Sequence, residues 1–133
     1  MAIVNPTWKV WELPNNEDVY GDGKATAFIQ PAWSLVTVKW NNVDGGDTCT
    51  AAPTGYLTDI SVQISGTTVT DVDINGSNDG EEYYRLNDAQ GNALDAIGAE
   101  KIEQILERTV FIQPAVITGT DVDIVICGRI PIV

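Results

Sequence analysis

Histidine is absent from the 133 residues. Its absence excludes Ser-His-Asp and Cys-His catalysis, histidine metal sites and imidazole acid–base chemistry together. An enzyme would have to work through carboxylates or an unusual nucleophile. Basic residues are scarce: seven Lys and Arg stand against 19 Asp and Glu, a net charge of −12. Phosphate repels a chain this acidic, so no nucleic-acid partner is expected. Cysteine is limited to Cys49 and Cys127, 78 positions apart, which is neither a zinc spacing nor a redox pair. The two can bridge only if the fold brings them together; otherwise they are reduced thiols, one in a loop and one in a strand. A long apolar run is missing as well. The longest uncharged stretch, Ala25–Val38, has 14 residues and contains Gln30 and Pro31. That is too short and too interrupted to span a bilayer. The first 24 residues carry no basic region followed by an apolar one, as a secretory leader requires. Synthesis in the cytoplasm and no membrane partner are the expectations.

What is present favours strands. Val, Ile and Thr number 14, 14 and 13, against six Leu and one Met. These β-branched residues suit a pleated surface, and Gly, Asn and Asp clusters punctuate them at short intervals. Ser34–Asn41 alternates, with Val36, Val38 and Trp40 on one face. Tyr56–Ile64 alternates through Ile60, Val62 and Ile64. Ser65-Gly66 then reads as a hairpin turn into Thr67–Ile74, with a bulge where alternation slips between Val69 and Val72. Ala25–Gln30, Glu81–Leu86, Thr109–Thr118 and Asp121–Ile132 are further strands. Asn87–Asn92 is a turn in which Gly91 is suited to a positive φ. In Ala96–Thr109, Ile102, Ile105 and Leu106 recur at helical spacing, which predicts one short α-helix over Ala99–Arg108. The fold class is therefore all-β: a β-sandwich or barrel of about eight strands with one short helix. Residues 1–24 read as an N-terminal arm and linker, and 25–133 as a single β domain.

Two five-residue strings recur: Phe28–Ala32 as Phe111–Ala115, and Thr70–Ile74 as Thr120–Ile124. Their offsets differ, so they are not one duplication. Each FIQPA proline should end a strand, bend it or lie at an edge.

Three groups of residues invite a functional reading. Asp73, Asn75, Ser77, Asp79, Glu81 and Glu82 offer oxygen ligands, yet their spacing fails the helix-loop-helix calcium pattern. Trp8, Trp11, Trp33, Trp40, Tyr56, Tyr83 and Tyr84 could form a sugar-stacking platform. The chain ends, Met1–Trp11 and Ile124–Val133, are the least polar stretches, and Thr7–Leu13 carries a tryptophan on each face. Such ends are costly in water, and oligomerisation or strand addition to a larger surface would cover them. Carboxylate pairs are plentiful because acids are, and nothing singles out two for catalysis.

A small, acidic, histidine-free, mostly-β chain that opens MAIVNPTWKVWEL, carries a RLNDAQGNAL turn (Arg85–Leu94) and ends apolar resembles small virion proteins of tailed bacteriophages. Head decoration (cement) proteins are the nearest type. The resemblance implies a non-enzymatic protein on the capsid surface, commonly a homotrimer, bridging neighbouring copies of the major capsid protein. Ile3, Val4, Trp8, Val10 and Trp11 fit the arm that would make the contact. No catalytic residue, metal or cofactor is implied. A tail-tube or head–tail subunit is the alternative within the virion. A carbohydrate-binding or calcium-dependent adhesion module is the alternative of another class.

Overall fold

Two long β-branched segments dominate the architecture. The computed structural model describes residues 1–11 and 33–131. In chain order the strands are β1 Ile3–Val4, β2 Thr7–Trp11, β3 Trp33–Val43, β4 Thr48–Cys49, β5 Ala52–Pro53, β6 Thr58–Ser77, β7 Tyr84–Arg85, β8 Lys101–Gln104 and β9 Phe111–Pro131. Strands β6 and β9 pair antiparallel along nearly their full length. Around this ribbon a seven-stranded sheet runs β2-β3-β9-β6-β7, with β5 added to β9 and β8 to β6; β1 and β4 form a separate parallel pair. The fold is all-β, and among the described residues its sheet is not closed into a barrel.

Alternation explains which residues go inside. Val36, Val38 and Trp40 of β3 register against Gly128, Ile126 and Ile124 of β9. Ile60, Val62 and Ile64 of β6 are buried in the same core, as are Val72 and Ile74 further along. Leu86, Leu94, Ile97 and Ile105 close the core from the segment between β7 and β9. Trp40 is fully buried, and its indole Nε1 donates to the Thr50 carbonyl at 2.8 Å. A buried indole N–H left without a partner would be costly.

Strand β6 corrects the expected hairpin. The strand continues through Ser65-Gly66, and Gly66 faces Val122 in register. A Cβ on Gly66 would lie 2.6 Å from the Asp121 carbonyl oxygen and 2.8 Å from the Val122 Cα. The glycine is therefore there for close approach of two backbones, not for a turn. Likewise the two terminal strands expected over 109–132 are one strand, β9. The irregularity expected between Val69 and Val72 is present: the ladder slips by one at Asp71 and returns at Val72.

The expected helix at Ala99–Arg108 is absent. Lys101–Gln104 is strand β8, paired with Ile64–Ser61 of β6, and the Ile105 N–H donates to the Ile60 carbonyl at 2.9 Å. Helical spacing would have buried Ile102 and Leu106 with Ile105, but both are exposed while Ile105 is buried. The free edge of β6 requires partners for its N–H and C=O groups, and that demand outweighs a marginal local helix.

Other details follow the sequence. Gly91 has φ 85° in the turn at Asp88–Asn92. Pro114 lies opposite Ile74, whose N–H and C=O turn to Leu94 and Leu86, so the missing donor faces away from β6. Cys49 is buried, Cys127 is half-buried, and both thiols are free. Burial pushes the Cys49 thiol up to about 12, which leaves it unreactive at neutral pH. The expected strand at Ala25–Gln30, the linker at Asn15–Lys24 and the first FIQPA copy lie outside the described residues.

Candidate assembly surface

The N-terminal strands are held in place by backbone hydrogen bonds. Strand β1 lies parallel to β4: the Thr48 and Thr50 N–H groups donate to the Ala2 and Val4 carbonyls, each at 2.9 Å. Asp47 locks the start of this pair, accepting from the Ala2 N–H at 2.9 Å and the Asp44 N–H at 3.0 Å. Val4 is half-buried and packs on the core, whereas Ile3 is 73% exposed.

Strand β2 adds to the edge of β3, from Thr7 opposite Lys39 to Trp11 opposite Leu35. All five of its residues are exposed. Trp8 and Val10 register with buried Val38 and Val36, so they continue the core face past its rim. There Trp8 stacks on Tyr56 at 6.2 Å between ring centres. Thr7, Lys9 and Trp11 lie on the opposite face. The Trp11 indole donates to Thr37 Oγ1 at 2.9 Å, and the Lys9 ammonium sits 3.6 Å from the Trp11 ring centre. These contacts orient the tryptophans without covering them. Among the described residues the far edge of β2 carries no strand. The structure thus places Trp8, Val10 and Trp11 on the exposed edge strand and leaves Ile3 exposed on the separate β1–β4 pair, with Val4 packed on the core.

Sequence reasoning missed a second margin. Ile102 and Leu106, near β8 at the opposite edge of the sheet, are exposed. No alternation marks this strand, since Ile102 and Ile105 fall on opposite faces, and the helical spacing was the stronger local signal.

The other candidates are occupied locally. Asp79 Oδ1 accepts from the Ser77 hydroxyl and from the Glu81 and Glu82 N–H groups. Those hydrogen bonds hold its carboxyl below the ordinary 3.8, the two backbone donors acting most strongly. Among the described residues no group of three metal-ligating side chains is arranged to hold an ion. Trp40 is core, and Tyr84 stands apart from the Trp8–Tyr56 stack beside an open cavity of about 460 Å³. The aromatic residues therefore do not form one platform. The second aspartate of each TDVDI copy takes a cation: Asp73 pairs with Arg85 at 2.9 Å and Asp123 with Lys39 at 3.6 Å.

Asp47 makes a prediction about acid. Its pKa is lowered, first by the Ala2 N–H. A depressed carboxyl contributes stability above its ordinary value of 3.8 and loses it as pH falls through the lowered folded value. Amide NMR should therefore show the Ala2 and Thr48 signals moving together below pH 3.8. Signals that hold still there would mean that Asp47 does not secure β1.

An open all-β sheet built on one long antiparallel ribbon, with apolar edge strands, is the class of protein this geometry defines. No protein-family model matches the chain, and no curated protein matches its sequence. The fold is similar to that in the crystal structure of SPBc2 prophage-derived protein YomS, with a TM-score of 0.56 over 76% of this chain and 96% of that chain. Sequence identity is 9%, so the likeness is one of fold. Among the described residues no helix is long and apolar enough to cross a membrane.

Proposed function

We propose that the chain is a non-enzymatic structural protein of a bacteriophage particle, acting as a decoration protein that bridges neighbouring major capsid subunits. The fold it shares with a prophage-derived protein supports the phage setting. The observation that carries the mechanical role is β2: five exposed residues on a sheet edge, with a tryptophan on each face. Monomeric proteins avoid such edges, and strand addition with burial of Trp8, Val10 and Trp11 is the way to cover this one, with Ile3 and Val4 on the neighbouring strand β1 completing the arm. Work of this kind needs no cofactor. Net charge −12 suits an outer surface that stays clear of DNA. The protein is made in the host cytoplasm and ends on the capsid surface. A ring-forming subunit of the tail tube or head–tail joint is the second reading, favoured by the outer side of β2, which carries no strand among the described residues.

The test is binding of purified protein to expanded capsids. Replacing both Trp8 and Trp11 by alanine should lower capsid occupancy at least tenfold. The isolated domain should stay folded, losing the Trp8–Tyr56 stack and the Trp11–Thr37 hydrogen bond for about 1–3 kcal/mol. Equal losses in the two assays would place the segment in the monomer core instead.

A further inference from the structure

The cavity beside Tyr84 takes no part in docking through β2. It holds about 460 Å³, within the range of small-ligand sites. Its walls come from β7, the end of β6, the loop between them and residues 107–109. Tyr84 presents an aromatic ring there and is 69% exposed. The ring is tethered: its hydroxyl donates to Glu82 Oε2 at 3.2 Å, and its backbone pairs with Gly76. Buried Leu86 adds apolar surface. Donors and acceptors stand beside it. Asn78 Oδ1 accepts from the Val110 N–H at 3.2 Å, which fixes the amide and leaves Nδ2 without a partner among the described residues. Asp79 takes its donors on Oδ1 and Glu82 on Oε2. Asp79 Oδ2 and Glu82 Oε1 therefore carry no protein donor among the described residues. Arg85 is committed: Asp73 and Asp95 hold its guanidinium at 2.9 and 3.2 Å.

We propose that this cavity binds a sugar. Its walls decide against the other classes of small ligand. An anion would meet Asp79, Glu82 and Glu107 with Arg85 already taken. For a metal ion, no three ligating side chains converge among the described residues. An organic cation would find carboxylates, but N–H donors already answer those of Asp79 and Glu107. The Asn78 Nδ2 hydrogens would also face it with like polarity. A sugar uses everything present. Its hydroxyls donate to the carboxylates and accept from the Asn78 amide, and its C–H face lies against the Tyr84 ring. The sheet order β2-β3-β9-β6-β7 puts this site at the end remote from β2. A copy docked through β2 therefore keeps it open to a glycan from outside. The inference adds a second binding site to the role proposed above and does not depend on it.

The experiment is amide NMR of the full chain titrated with the methyl glycosides of glucose, galactose, mannose and N-acetylglucosamine, each taken to tens of millimolar. One of them should shift the signals of Asn78, Tyr84, Arg85 and Glu107 with a Kd of about 1 mM, while those of β2 stay still. Tyr84→Ala should weaken that binding at least tenfold, and the exposed position lets the domain keep its fold. Tyr84→Phe keeps the ring and loses only the tether to Glu82, so its affinity should stay within about threefold of the wild type. If no glycoside moves these signals, the proposal is overturned. It is equally overturned if Tyr84→Ala binds as the wild type does. Spermidine is titrated alongside: a polyamine that shifts the same signals at lower concentration than every glycoside would make the cavity an amine site instead. Capsid occupancy is a separate readout, and Tyr84→Ala should leave it unchanged. A variant that loses capsids together with the sugar would make the cavity part of the docking surface and sink the second site.

Discussion

Replacing Gly66 with alanine should destabilise the domain by about 3 kcal/mol, at the upper end of overpacking costs. The new Cβ would meet the Asp121 carbonyl oxygen at 2.6 Å and the Val122 Cα at 2.8 Å. Both are backbone atoms of β9, so no side chain can swing aside. Relief requires the β6–β9 ladder to part between Ser65–Asp123 and Gly66–Val122. Gly91→Ala is the control, since nothing lies within 4 Å of its added Cβ and only its φ of 85° resists. About 1 kcal/mol is expected there. Urea unfolding of both variants checks the pair. A Gly66 variant no worse than the Gly91 one would show that the ribbon has slack at its centre.

Trp40→Ala should cost about 4 kcal/mol, a large share of the roughly 5–15 kcal/mol that holds such a domain together. Trp40 is fully buried in β3 between β2 and β9, and no solvent-facing route exists for its removal without a cavity. The substitution also leaves the Thr50 carbonyl without its 2.8 Å donor. Trp40→Phe separates the two effects: it keeps most of the packing and loses the hydrogen bond, for about 1–2 kcal/mol. Midpoints in urea with unchanged slopes are the expected readout. An alanine variant as stable as the phenylalanine one would mean the cavity collapses.

Much of the strand pattern was legible because alternation records burial directly. Val36, Val38 and Trp40, then Ile60, Val62 and Ile64, declared the inner face of β3 and β6 without any knowledge of their neighbours. The slip at Val69–Val72 was readable for the same reason. Where two local signals competed, the sequence misled. Ser65-Gly66 looks like a turn, since glycine permits one, but the same absence of Cβ also permits two strands to touch. Ile102, Ile105 and Leu106 look like a helix face, and only the edge of β6 makes Lys101–Gln104 a strand. Of the candidate assembly surface, the β2 half was visible in Trp8, Val10 and Trp11, which put a tryptophan on each face. The β8 half was not, because its meaning depends on which strand it borders.

Taken alone, the amino-acid order settled composition-level matters: an all-β chain, acidic, without imidazole chemistry, with an N-terminal strand apolar on both sides. Such properties follow from residue type and period, which need no partner to be read. Tertiary structure decided the length of β6 and β9, the conversion of 101–104 to strand and the placing of two unlike edges on one sheet. Those depend on hydrogen bonds between residues far apart in the chain, whose satisfaction no local window contains.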